Sequence, residues 1–205
     1  MRRPLEAIAG AASIAIAALL AASALAGCGS AAGSSAPAGP TSTGPTVTSK
    51  SISLSSSAIT SGKIPAVYTC DGKNIAPPLK WGPVLTGVHE LVLFALGVPA
   101  RPSSHAKDTV EWALAGVKPE LHELGPGSLP AGAFLEEASN GKRRYSICPP
   151  HGQTRSYRFV VYAVPELIRA TSKIDGVKLL ANLAEGPPNF RAPAQGELTA
   201  TYKRT

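Results

Sequence analysis

The chain has 205 residues, with 20 Lys or Arg against 13 Asp or Glu, for a formal net charge of +7. The basic residues are scattered apart from Lys142–Tyr145 (KRRY), and no basic helix or aromatic-basic repeat occurs, which excludes the usual designs for nucleic-acid binding. No Cys-x-x-Cys, His-x-x-x-His or His-x-Glu spacing is present, so no metal and no cofactor is expected.

The chain opens on a basic head, MRRP, followed by a run from Leu5 to Leu25 that is mostly Ala, Ile and Leu. Leu25–Cys28 reads LAGC. This pattern is a secretory signal over residues 1–27, with a small-residue cleavage site ending at Gly27. The run is about long enough to span a membrane, but small residues followed by Cys and a polar tail favour processing. LAGC resembles the lipobox of bacterial lipoproteins. In that reading Cys28 becomes the mature N-terminus and carries the lipid, and the protein sits on the outer face of the cytoplasmic membrane. A plain cleaved signal and an uncleaved anchor are the alternatives.

Residues 28–50 are rich in Gly, Ser, Ala, Pro and Thr and have almost nothing large and apolar to bury, so they form a flexible tether. Residues 51–205 remain as one domain with a single sizeable core. That domain reads as mainly β. SISLSSS alternates from Ser51. His89–Val98 (HELVLFALGV) is a continuous apolar run that suits a strand buried on both faces. Thr109–Val117 (TVEWALAGV) has the same character. Arg155–Val164 (RSYRFVVYAV) is rich in Tyr, Phe and Val, as buried strands are. From Gly196, GELTATYKRT alternates Leu198, Ala200 and Tyr202 with polar neighbours. The stretches between carry Gly, Pro, Asp and Asn and read as turns and long loops. One helix is predicted in TSKIDGVKLLANLAEGPP, with Thr171 or Ser172 as N-cap and Asp175 in the first turn. Its apolar positions are Ile174, Val177, Leu180, Ala181 and Ala184, and Gly186 ends it.

If Cys28 is lipidated, Cys70 and Cys148 remain. In an oxidising compartment two cysteines most simply form a disulfide. Two unpaired structural thiols are one alternative. A nucleophilic Cys148 with His151 as its base is another.

Five blocks, in this order, resemble the phosphatidylethanolamine-binding proteins, in particular their bacterial Raf-kinase-inhibitor-like branch. They are IPAVYTCDGKNIAPPLKW (Ile64–Trp81), VPARP (Val98–Pro102), VEWALAGV, NGKRRYSICPPHGQTRSYRFVVYAV, and GELTATYKR. The fold implied is a large central antiparallel sheet with a smaller sheet and a C-terminal helix. The function implied is binding without turnover. The ligand is a small anion or a phospholipid head group, with inhibition of a kinase or protease through a protein partner as another role. The pocket implied is lined here by Val98, Pro99, Glu111, Trp112, Tyr145, Pro149, Pro150, His151, Gly152 and Arg155, with Pro102 beside them.

This chain departs from the family pattern at the polar positions of that pocket. Val98 and Ala100 stand where two aspartates belong. Glu111 and Arg155 replace two histidines. Arg155 keeps its charge at any physiological pH and offers forked donors suited to carboxylate or phosphate. Glu111 would repel an anion unless paired. The economical expectation is that Glu111 and Arg155 face and neutralise each other, which would leave a scaffold with a closed pocket. The rival expectation is that Arg155 still takes an anion.

Two further patterns were weighed. Ser103–Asp108 (SSHAKD) holds Ser, His and Asp, and makes an esterase around Ser104 a minor alternative. There is no Gly-x-Ser-x-Gly elbow. GPGSLPAG has glycines but links no strand to a helix as a phosphate loop does, so turn chemistry explains it. Trp81 and Trp112 belong to the core or the pocket wall, and Tyr145 either lines the pocket or packs.

Overall fold

The computed structural model describes residues 50–101, 107–168, 175–186 and 191–205. The signal, Cys28, the tether, Pro102, Ser104, Thr171 and Ser172 lie outside the described residues.

Among the described residues nine strands form two sheets. They are β1 (Lys50–Ser51), β2 (Leu54–Ser55), β3 (Leu79–Trp81), β4 (Glu90–Gly97), β5 (Thr109–Val117), β6 (Glu123–Leu124), β7 (Phe134–Leu135), β8 (Thr154–Val164) and β9 (Ala194–Lys203). The large sheet runs β1-β9-β8-β4-β5-β7 and the small one β2-β3-β6. Every pairing is antiparallel except β1 with β9.

The apolar run at 89–98 becomes β4, in which every residue is buried. Strand alternation sends successive side chains to opposite faces. Leu91, Leu93 and Ala95 enter one core, where Trp112, Tyr157 and Phe159 of the same sheet meet Ile52, Leu79, Trp81 and Ile147. Val92, Phe94 and Leu96 enter the other, where Val160 and Tyr162 meet Leu179 and Leu183 of the helix. Each such Leu or Phe contributes roughly 1.5–3 kcal/mol by leaving water. The fold is therefore mainly β, with the large sheet sandwiched between a small sheet and one helix.

The helix, α1, spans Gly176–Glu185 and starts later than its sequence suggests. Asp175 is the N-cap rather than a first-turn residue, because its carboxylate accepts the Lys178 amide at 2.8 Å. That start rotates the buried stripe onto Gly176, Leu179 and Leu183, and leaves Val177 46% exposed.

Glu90 is the charged residue inside β4. Its carboxylate accepts the backbone amides of Gly116 at 3.3 Å and Ile168 at 2.9 Å. Burial nevertheless pushes it above the usual carboxylate range.

Candidate functional site

The site forms where β5, β8 and the Pro-rich turn meet. On β5, Ala95 pairs with Trp112 while Leu96 pairs with Val110, so Glu111 is an extra residue. Such a bulge re-aims side chains. Trp112 packs in the core shared with the small sheet and Val110 in the core beneath the helix, although only one residue separates them. Gly97 makes room beside Glu111. A Cβ there would lie 2.8 Å from Glu111 Oε1 and 2.6 Å from Thr109 Oγ1. The Thr109 hydroxyl donates to Glu111 Oε1 at 2.9 Å.

On β8, alternation puts Arg155 and Tyr157 on one face. Tyr157 pairs with Gly97, and Arg155 with Tyr202 of β9. Glu111 and Arg155 are both half-buried. They are not in contact: among the described residues no nitrogen of Arg155 lies within 4.0 Å of a Glu111 carboxylate oxygen. The expected closing ion pair is thus corrected. Burial pushes the Glu111 carboxyl above the usual carboxylate range, and the Thr109 hydroxyl and the Arg155 charge act against that rise. The bulge and the Thr109 bond hold Glu111 to its own strand, so its charge is felt by Arg155 only across a gap.

Two polar atoms here are buried without a hydrogen-bond partner, Arg155 Nε and the Tyr145 hydroxyl. Buried donors are nearly always satisfied, so each such orphan calls for a reason. Tyr145 packs edge-to-face on Trp112, with ring centroids 5.9 Å apart. Burial, then the nearby Tyr157 and Glu111 groups, hold its hydroxyl firmly protonated. Tyr157 is held protonated chiefly by its own burial and then by Glu111. The site therefore offers a fixed guanidinium, two neutral phenols and one carboxylate. Among the described residues of the site no nucleophile stands beside a base.

The Pro-rich turn is anchored from both sides. The Gln153 amide donates to the Pro150 carbonyl at 3.2 Å, with Gly152 as the third residue of that turn. Arg204 donates to the Pro149 carbonyl at 3.3 Å and, through Nε, to Asp71 at 3.1 Å. Tyr202 also donates to Asp71, and that bond, more than the Arg204 charge, holds the Asp71 carboxyl below the usual range. The sulfurs of Cys70 and Cys148 are joined as a disulfide across 78 residues of chain. This pins the Asp71 loop to the turn and removes Cys148 as a nucleophile. His151 is exposed and its Nδ1 lies 3.1 Å from the backbone oxygen of Thr205. Val98 and Pro99 are half-buried at the end of β4, where the Val98 amide donates to the Ser156 carbonyl at 2.9 Å. Asp108 spends its carboxylate on Arg158, on the opposite face of the sheet. Asp71, Gly97, Thr109, Tyr157 and Tyr202 all escaped the sequence reading. Tyr157 alone had a usable signal, its place two residues after Arg155.

A family model described as phosphatidylethanolamine-binding protein matches residues 55–203. This chain belongs to that family. Among its relatives is "Putative lipoprotein LppC" of Mycobacterium tuberculosis, 31% identical over 142 residues, which are 68% of this chain and 66% of LppC. A UPF0098 protein of Methanothermobacter thermautotrophicus is 34% identical over 113 residues, 52% of this chain and 72% of its own length. The chain spans just under two thirds of the mycobacterial relatives' length, 66% for LppC and 64% for UPF0098 protein Mb1945c of Mycobacterium bovis. Among solved structures, the "Putative PhosphatidylEthanolamine-Binding Protein (PEBP) Homolog CT736" from Chlamydia trachomatis is 26% identical. It superposes with a TM-score of 0.63 over 77% of this chain and 100% of that one. Escherichia coli YbcL shares the fold, with a TM-score of 0.63 at 22% identity over 75% of this chain and 99% of its own.

Proposed function

We propose that this protein is a non-catalytic binding protein of the cell envelope, exported and lipid-anchored through Cys28, whose pocket takes a small anion on Arg155. The observation that carries the reading is the buried, unpartnered Nε of Arg155; the hydroxyl of Tyr145 is likewise buried without a partner. A guanidinium that Glu111 does not engage keeps its forked donors for a ligand. Tyr145 and Tyr157 add donors. Glu111 favours a ligand that also carries an N–H or ammonium group, as phosphorylethanolamine does. The name of LppC supports the lipid anchor.

Isothermal titration with phosphate, phosphorylethanolamine and a nucleotide panel tests this. Saturable binding is expected, tightest for phosphorylethanolamine and lost in Arg155→Met. No saturable binding across the panel would overturn the reading.

A further inference from the structure

A cavity with a volume of about 270 Å³ lies beside this site. It shares the walls Trp112 and Tyr145, but Glu111, Tyr157 and Arg155 do not line it. Its other apolar walls are Ile75, Leu114 and Leu135, and Lys73 and Arg144 stand with them. No acidic residue lines it. Among the described residues neither the Lys73 nor the Arg144 side chain makes an ion pair. Leu129, also lining the cavity, is 56% exposed.

The walls are held in place without a ligand. Asn74 adopts a left-handed φ of 53°, uncommon for any residue but glycine. Its side chain accepts the Ile147 amide at 3.2 Å and donates to the Ser146 hydroxyl at 3.4 Å. Those bonds stitch the Lys73 loop to the segment that carries Arg144 and Tyr145. Across the opening, the Gly127 amide donates to the Ala76 carbonyl at 2.9 Å, and a Cβ at Gly127 would lie 3.1 Å from Ile75. The GPGSLP turn is therefore pressed onto the Lys73 loop. Preformed walls of this kind lower the entropic cost of binding.

We propose that this cavity binds a small amphiphilic anion, a carboxylate on a short apolar body, with the body against Trp112 and Leu114 and the carboxylate between Lys73 and Arg144. Charge complementarity selects the class, since two unpaired cations face an apolar chamber that has no acid. Size limits it. A dry protein cavity of about 150 Å³ holds benzene, so this one suits about ten to twelve heavy atoms. The lining of branched aliphatic and aromatic side chains suits such a body.

The test uses the full chain in zwitterionic nanodiscs, with lipid-only discs subtracted, titrated with sodium octanoate and separately with 1-octanol. Trp112 fluorescence and calorimetry report binding. Octanoate is expected to saturate and to bind at least tenfold tighter than octanol. The double variant Lys73→Gln/Arg144→Gln should weaken octanoate at least tenfold and leave octanol unchanged, while Arg155→Met should leave octanoate binding intact. Equal affinity for acid and alcohol, no saturation by about 10 mM octanoate, or loss of octanoate binding in Arg155→Met would each overturn the proposal. The last outcome would move the carboxylate into the Arg155 site and leave the function proposed for that site standing.

Discussion

Arg155 and Arg158 lie three residues apart on β8 and so point to opposite faces of the large sheet. Arg158 is met by Asp108 on one side and by Glu197 at 3.1 Å on the other. Both partners come from outside its own strand, and two carboxylates more than neutralise the one guanidinium at a partly exposed surface. Arg155 has one acid nearby, held beyond contact by a bulge and by Thr109, and its Nε is buried without a partner. A ligand at Arg158 would have to displace two carboxylates. A ligand at Arg155 would satisfy groups that folding left unpaired. The same residue type on the same strand thus serves as surface electrostatics in one place and, in the function proposed above, as a recognition element in the other.

The comparison can be broken first at the core, where the effect is largest. Phe159→Ala empties the face that carries Arg155, and Phe94→Ala the face that carries Arg158. Each should lower stability by about 3–5 kcal/mol, read as a shift in the urea midpoint at constant slope. A much smaller cost for Phe159 would mean that the Arg155 face is loosely packed and its orphan groups incidental.

Next comes the staple. Cys70→Ser/Cys148→Ser should cost about 2–4 kcal/mol, because the bridge closes a long loop. It should also weaken phosphorylethanolamine binding, since the Asp71 loop and the Pro-rich turn would no longer be tied. Unchanged affinity in that variant would show that Asp71, Tyr202 and Arg204 hold the turn by themselves.

The arginines themselves are the third step. Arg158→Met leaves Asp108 and Glu197 uncompensated and should cost about 1 kcal/mol, an effect that shrinks with added salt. Arg155→Met should cost no stability, because it removes a buried unpaired donor, yet should abolish anion binding. Melting temperatures in low and high salt, set beside titration calorimetry, separate the two. A large loss of stability in Arg155→Met would recast Arg155 as structural.

The smallest effect is the pH slope. Burial raises the folded-state pKa of Glu111 above its unfolded value. Its contribution to stability is therefore fully present below the ordinary carboxylate range and is lost as pH rises through the raised folded value. Glu111→Gln should flatten the stability profile over that window. Glu90 and Glu136 are also raised by burial and keep their own slopes. No flattening would place the Glu111 carboxylate in freer contact with water.

Much of the frame was legible in the sequence because it depends on long apolar or alternating runs. β5 matches its predicted span, and β4, β8 and β9 fall within two residues of theirs. The two-residue strands β6 and β7 were not legible, since they sit inside stretches whose Gly and Pro content reads as loop. The helix was found but misphased, because moving its start to Asp175 exchanges the buried positions for Leu179 and Leu183. In the site, Glu111 and Arg155 stood out by their departure from the family pattern. Their separation did not, because it follows from a register shift between β4 and β5 that no single strand displays. Gly97 reads as an ordinary strand end until the Glu111 side chain is seen against it.

The earliest described segment of the chain has a use beyond its small size. Ser51 and its neighbours follow β9 as a partial extra strand: the Ile52 amide reaches Gln195, and further on Ile64 and Gly62 both bond Thr201. At the far side of the sheet only two residues of β7 are offered. The long inner strands consequently present little open ladder on which a neighbouring copy could stack. Under the lipid anchoring proposed above, molecules would meet edge to edge far more often than in free solution, and that protection would then matter most.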